Sequence, residues 1–142
     1  MLLHRLLYFS RCTLASQGAQ RRAEIRALAE EAAARNARRQ LTGVLAAVGD
    51  SFVQALEGPA EAIEATFERI CCDFRHSDMK LVDLTPVRER AFPGSGLTLL
   101  DAGEAGDLRE DLEELRFLIG VNAREALDMM QRLAERASAA PA

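Results

Sequence analysis

Phe52-Val53-Gln54-Ala55-Leu56 is apolar on both faces of an extended strand, with one exception. Phe52, Gln54 and Leu56 share one face, and Val53 and Ala55 share the other. A strand of this kind has to be covered on both sides, which restricts the chain to layers packed about a buried sheet. The exception, Gln54, is the informative residue, because an amide that leaves water needs partners. A second apolar run, Leu6-Leu7-Tyr8-Phe9, carries the only tyrosine of the chain. A phenol and the carboxamides of Gln54 and Asn36 are together suited to grip a planar heterocycle, so the sequence points to a polar ligand site inside a small core.

The spacing predicts a strand over residues 2–10, a break at Gly18 and a helix from Gln20 to Asn36. Ile25, Leu28, Ala29 and Ala32 give that helix one apolar face. Asn36 falls near its end, where asparagine can cap. Residues 41–48 and 52–56 read as a hairpin about Gly49-Asp50. Gly58-Pro59 opens a second helix, with Ile63, Phe67 and Ile70 on its buried face and Asp73 at its end. Residues 79–87 form a fourth strand with Pro86 at its end or on an edge. Residues 97–100 form a shorter fifth, joined to it through the flexible Pro93-Gly94-Ser95-Gly96. The order βαββαββ implies an α+β sandwich with two helices on one face. Two further helices, 108–118 and 123–137, are expected to cover the other face or to supply an oligomer surface. Met129-Met130 reads as core or interface filler, and the tail from Ser138 to Ala142 as disordered. The expected division is a domain over residues 1–101 and a two-helix extension over 102–142.

Composition excludes several classes. With 142 residues, 49% of them apolar, the chain suffices for one domain with a real core. A formal charge of −4 leaves no basic footprint for nucleic acid. Arg21-Arg22 and Arg38-Arg39 are expected at solvated helix and loop positions. Cys12, Cys71 and Cys72 form no CxxC, so no disulfide framework is expected; Cys71 and Cys72 read as small packing residues, and the compartment as reducing and cytoplasmic. His4 and Arg5 interrupt the N-terminal apolar stretch, which is therefore no signal peptide, and no run approaches the length of a membrane span.

Hydrolase, zinc-protease, dinucleotide and P-loop motifs are absent. His76 reads as an exposed or capping residue after a helix, since no metal-ligand spacing accompanies it. Arg69 and Asp73, four residues apart, share a helical face. They form either an ordinary ion pair or a guanidinium and a carboxylate offered to a polar ring edge, and the company of Gln54 and Asn36 favours the second.

These residues resemble the BLUF domains, blue-light sensors that use flavin. The resemblance rests on Arg5-Leu6-Leu7-Tyr8-Phe9-Ser10-Arg11, on Asn36 ahead of Leu41-Thr42-Gly43, and on Phe52-Val53-Gln54-Ala55-Leu56-Glu57-Gly58-Pro59. It continues through Arg69-Ile70, Asp73-Phe74-Arg75-His76 and Arg88-Glu89-Arg90-Ala91-Phe92-Pro93. It implies a ferredoxin-like core with flavin, usually FAD and alternatively FMN, between the two core helices. By that likeness Tyr8 gives an electron and a proton to the excited flavin, and Gln54 is the switch whose amide rearranges. Asn36, Arg69 and Asp73 hold the polar edge of the ring, and Ile25, Ile70, Arg35 and His76 stand around the cofactor. For Arg35 two readings remain, a phosphate or ribose contact and a solvated arginine.

The chain departs from the family in places. Ser95 and Leu97 occupy the positions of a common Trp-x-Met, Arg35 stands where a second asparagine often occurs, and Gln40 where a glycine often occurs. Gly94 and Gly96 are expected to make this segment mobile. The expected function is that of a short, stand-alone photoreceptor that signals to a protein partner or through its own oligomer. The alternatives are a flavin-free interaction module on the same fold and a flavin-dependent redox enzyme.

Overall fold

The computed structural model describes residues 2–73, 75–94, 96–101 and 108–139. Strands β1 (Leu3–Cys12), β2 (Thr42–Val48), β3 (Ser51–Pro59), β4 (His76–Val87) and β5 (Thr98–Asp101) form one sheet in the order β4-β1-β3-β2-β5. Helices α1 (Gly18–Arg38) and α2 (Ala60–Cys71) interleave with them, and α3 (Arg109–Val121) and α4 (Ala123–Ala139) follow. All pairings are antiparallel except β2 with β5. The α+β architecture is thus the one the order of elements implied, and its ferredoxin-like core the one the resemblance implied. Gly49, at φ 56°, and Asp50 make the two-residue β2–β3 turn. Pro86 lies in β4, an edge strand, where its missing N–H interrupts no central ladder.

Side-chain alternation divides the core in two. Leu6, Tyr8, Leu45, Ala47, Phe52 and Leu56 meet Ile25, Ala29 and Ile63 of α1 and α2. Leu7, Val44, Ala46, Val53 and Ala55 meet Leu112, Leu115, Ile119, Ala126, Met130 and Leu133 of α3 and α4. Both faces are covered, as the doubly apolar β3 requires. Met130 is fully buried and Met129 nearly so, which makes the pair core filler.

The end of α1 shows why the chain turns there. The Leu41 N–H donates to the Asn36 carbonyl at 2.9 Å and the Gln40 N–H to the Ala37 carbonyl at 3.4 Å. Gln40 takes the left-handed conformation, φ 62°, that such a C-cap demands. The cap therefore uses Gln40, at a common glycine position, and leaves the Asn36 side chain free for another task.

Several expectations are corrected. Cys71 and Cys72 are exposed rather than packed, because α2 ends at Cys71 and its last turn projects past the sheet; Cys12 is the buried cysteine. Arg21 is no solvated position: its side chain is 15% exposed and donates to Asp50 of the hairpin turn at 2.8 Å. The C-terminal helix runs to Ala139, beyond the expected start of a disordered tail at Ser138, while residues 140–142 lie outside the described residues.

Candidate functional site

The register of the two central strands places Tyr8 directly opposite Gln54. Both are buried, and the Tyr8 hydroxyl donates to Gln54 Oε1. Burial pushes the phenol pKa well above its ordinary value, with negative charge at Cys71 and Asp73 adding to the effect, so the hydroxyl stays protonated and acts as a donor. The Tyr8 ring is held by Phe67 at a centroid distance of 5.8 Å and by His76 at 6.5 Å.

A cleft opens over this pair, between α1 and α2. Tyr8, Leu45, Phe52 and Gln54 form its floor. Leu28, Ala32, Arg35 and Asn36 line it from α1, and Thr66, Arg69 and Ile70 from α2; Asp73, Arg75, His76 and Leu97 complete it. The lining is mostly apolar with a few convergent polar groups, the composition of a small-molecule site. Thr66 Oγ1 is buried there without a partner. An orphaned hydroxyl and the carboxamide of Gln54 in one apolar cleft fit a ligand that is flat, largely apolar and edged with hydrogen-bonding groups, as a flavin ring is.

Asn36, buried at the C-terminal end of α1, donates through Nδ2 to the Gly96 carbonyl at 2.9 Å. A β-carbon on Gly96 would fall 2.2 Å from the Ala33 carbonyl oxygen, so only glycine lets this segment approach α1. Gly96 is buried, with its carbonyl bonded to Asn36 and its α-carbon close against Ala33 of the same helix. Ser95 lies outside the described residues.

His76 begins β4 and caps α2. Its Nε2 donates to the Ile70 carbonyl at 2.8 Å, which leaves Nδ1 to accept from the Ser10 hydroxyl at 2.9 Å. The reading of His76 as a helix cap holds, and the cap also brings its ring into the cleft lining.

Arg69 and Asp73 do not form an i,i+4 pair, because α2 stops at Cys71 and Asp73 leaves the helical face. Asp73 instead takes Arg75, with Nη2 to Oδ2 at 2.6 Å and Nε to Oδ1 at 2.9 Å. Hydrogen bonds from Arg75 hold the Asp73 carboxyl below the usual carboxylate range. Arg69 is exposed and forms no ion pair among the described residues. Partial desolvation and the positive charges of Arg39 and Arg35 lower its pKa. Arg35 is paired with Glu31 at 2.8 Å. The cleft mouth thus carries guanidinium groups that repel one another, an environment suited to an anion.

Of the residues singled out in the sequence, Tyr8, Asn36, Gln54, Arg69, Ile70, Asp73, Arg35 and His76 line this one cleft. Ile25 does not. It is buried one turn nearer the start of α1 and borders a separate cavity with Arg21, Arg22 and Leu112. Ser10 and Thr66 were missed. Parity was the available signal for Ser10, which shares the Tyr8 face of β1; a threonine within a helix gives no comparable signal. Among the described residues no cluster of three or more His, Cys, Asp and Glu side chains is placed to hold a metal. No helix among the described residues is long and apolar enough to cross a membrane.

The family model described as sensors of blue light using FAD matches residues 3–97. The chain belongs to the BLUF family. Its members bind flavin and sense blue light, and the Tyr8–Gln54 pair lies within the matched span. The photoactivated adenylate cyclase subunit beta of Euglena gracilis is 41% identical over 83 residues, which cover 58% of this chain and 10% of that protein. The chain thus spans about a tenth of the length of that relative. The dark-state structure of the BLUF protein BlrB superposes with a TM-score of 0.79 at 30% identity, covering 95% of this chain and 97% of the other. BlrP1 of Klebsiella pneumoniae, solved with FMN and cyclic diGMP, superposes with a TM-score of 0.67 at 27% identity over 86% of this chain and 36% of that one.

Proposed function

We propose that this BLUF chain binds FAD in the cleft between α1 and α2 and works as a blue-light switch whose moving part is the Gln54 amide. The observation that carries the proposal is the buried pair itself: a protonated phenol donating to a carboxamide that lines the cleft.

The bound flavin would supply light absorption and an electron-accepting excited state. The remaining work falls to the chain. Tyr8 holds its proton between the hydroxyl and Gln54 Oε1, and it is the aromatic group from which an electron and that proton leave together. Gln54 carries an acceptor at one end and two donors at the other, so rotation or tautomerisation of its amide inverts what it offers to the cleft. Thr66 and Asn36 would hold the polar edge of the ring, Leu28, Ala32 and Ile70 would pack on it, and Asp73 with Arg75 would complete the polar rim. Arg35 and Arg69 would attract the phosphate end. FMN would satisfy the same contacts, since none of them requires the adenine half of FAD.

The chain's output passes to a protein partner or to a second copy. Phe117 and Val121, exposed four residues apart on α3, offer an apolar surface for it. Free cysteines, two of them exposed, suit a reducing cytoplasmic setting.

The test is an absorption spectrum of the purified protein in the dark and after a blue flash. A yellow protein with a small red shift that decays in the dark supports the switch. A colourless protein that takes up no flavin returns the fold to the role of an interaction module, and steady turnover with a nicotinamide reductant would make it a redox enzyme. Tyr8→Phe and Gln54→Leu are both expected to retain flavin and lose the shift, and a normal photocycle in either removes that residue from the mechanism.

A further inference from the structure

Glu57 has a fully buried side chain, and nothing in the switch described above uses it. It lies three residues beyond Gln54 on β3, so alternation sends it to the opposite face. A buried carboxylate is tolerated only with several partners, and Glu57 has three. Its Oε2 accepts from Arg5 Nε and from the Ala91 N–H, each at 2.9 Å, and its Oε1 accepts from the Phe92 N–H at 2.7 Å. Arg90 adds a second tie, donating through Nη1 to the Glu57 carbonyl and to Thr42 Oγ1, both at 2.8 Å.

These bonds fix one end of the segment between β4 and β5. The other end is fixed at the cleft, where the Gly96 carbonyl accepts from Asn36 at 2.9 Å. Between the two anchors the segment changes sides. Phe92 is buried in the core under α3 and α4, whereas Leu97 is buried in the core under α1 and α2 and lines the cleft. The segment is a strap that touches the ligand site with one end and the far helices with the other.

We propose that Glu57 is a positioning residue for signal output: it is the fixed point about which the strap passes a rearrangement at Gln54 and Asn36 to Phe92 and on to α4, whose Gln131 and Ala134 stand beside Phe92. The inference rests on the light-switch reading above. With the carboxylate in place, the backbone at Ala91 and Phe92 is tied to the strand that carries Gln54, and displacement at Gly96 has to be taken up by Phe92 and its neighbours. Without it, the strap yields near Ala91 and the displacement stops there. Glu57→Gln keeps the size of the side chain, but turns an NH2 toward a donor that needs an acceptor.

The test joins a local readout to a distant one. Amide hydrogen exchange of the flavin-loaded protein is followed in the dark and under blue light, beside the absorption shift. In the wild type, light is expected to change protection at Phe92 and along α4 by about tenfold, while the absorption shift appears. In Glu57→Gln the absorption shift is expected to remain and the change along α4 to vanish. A purely structural role for Glu57 would lower protection equally in both states and leave the light-minus-dark difference intact, which overturns the proposal. Phe92→Leu, which keeps every hydrogen bond to Glu57, is expected to reduce the α4 response and spare the shift. Should Glu57→Gln fail to fold, an undiminished α4 response in Phe92→Leu overturns the proposal. A wild type with a shift but no response along α4 also defeats the inference alone, whereas a wild type that binds flavin without any shift defeats the switch on which it rests.

Discussion

On the face covered by α3 and α4, Val44, Ala46, Val53 and Ala55 meet Leu112, Leu115, Ala126 and Met130, apolar against apolar. On the face covered by α1 and α2, β1 and β3 offer Tyr8, Ser10 and Gln54, and α2 adds an orphaned Thr66 hydroxyl. One face is satisfied by the chain alone. The other is organised around what the chain does not supply. Stability and ligand recognition are therefore divided by strand parity, and the same type of substitution should act differently on the two sides.

The sharpest contrast comes from truncation in the satisfied face. Met130→Ala should lower the unfolding free energy by about 2–5 kcal/mol in a denaturant titration, with flavin stoichiometry retained; a loss under about 1 kcal/mol would show that α4 is not part of the core. Tyr8 gives the next effect. As the only tyrosine, it can be followed alone by tyrosinate absorbance, and no titration should appear near the free-phenol pKa of about 10. The folded protein holds a proton that the unfolded chain releases. Stability should consequently be complete below about pH 10 and fall by about 1.4 kcal/mol per pH unit above it. A normal tyrosine titration in the folded state would contradict the burial of the pair. Thr66→Val should behave opposite to Met130→Ala, leaving the flavin-free protein unchanged or more stable by up to about 1 kcal/mol while weakening flavin binding about fivefold. If it destabilises the flavin-free protein, the hydroxyl has a structural use and the division by face fails. Gln40→Gly, outside both faces, should stabilise by under about 1 kcal/mol by relieving a left-handed non-glycine residue.

Much of this division is legible in the sequence. Alternation in Phe52–Leu56 assigns Gln54 to one face and Val53 to the other before any pairing is known, and the apolar spacing of residues 25–32 finds the helix that covers the first. What parity alone does not give is the partner. Tyr8 opposite Gln54 is a matter of register between strands 46 residues apart. Glu57 shows the limit from the other side. It reads as the polar end of an apolar strand, yet its partners Arg5, Ala91 and Phe92 come from two distant segments that converge only in the fold. Arg69 and Asp73 both line the cleft, but they do not share a helical face, for a local reason. Four-residue spacing implies contact only while the helix lasts, and α2 ends between them. Cys71 and Cys72 were misread by the same two residues of helix end.

The alternation of β3 has a mechanical corollary. A strand buried on both sides behaves like a see-saw: whatever draws residue 54 toward α1 and α2 draws Val53 and Ala55 the same way, and so away from α3 and α4. The two helical layers thus feel one displacement with opposite signs, tightening on one side and loosening on the other.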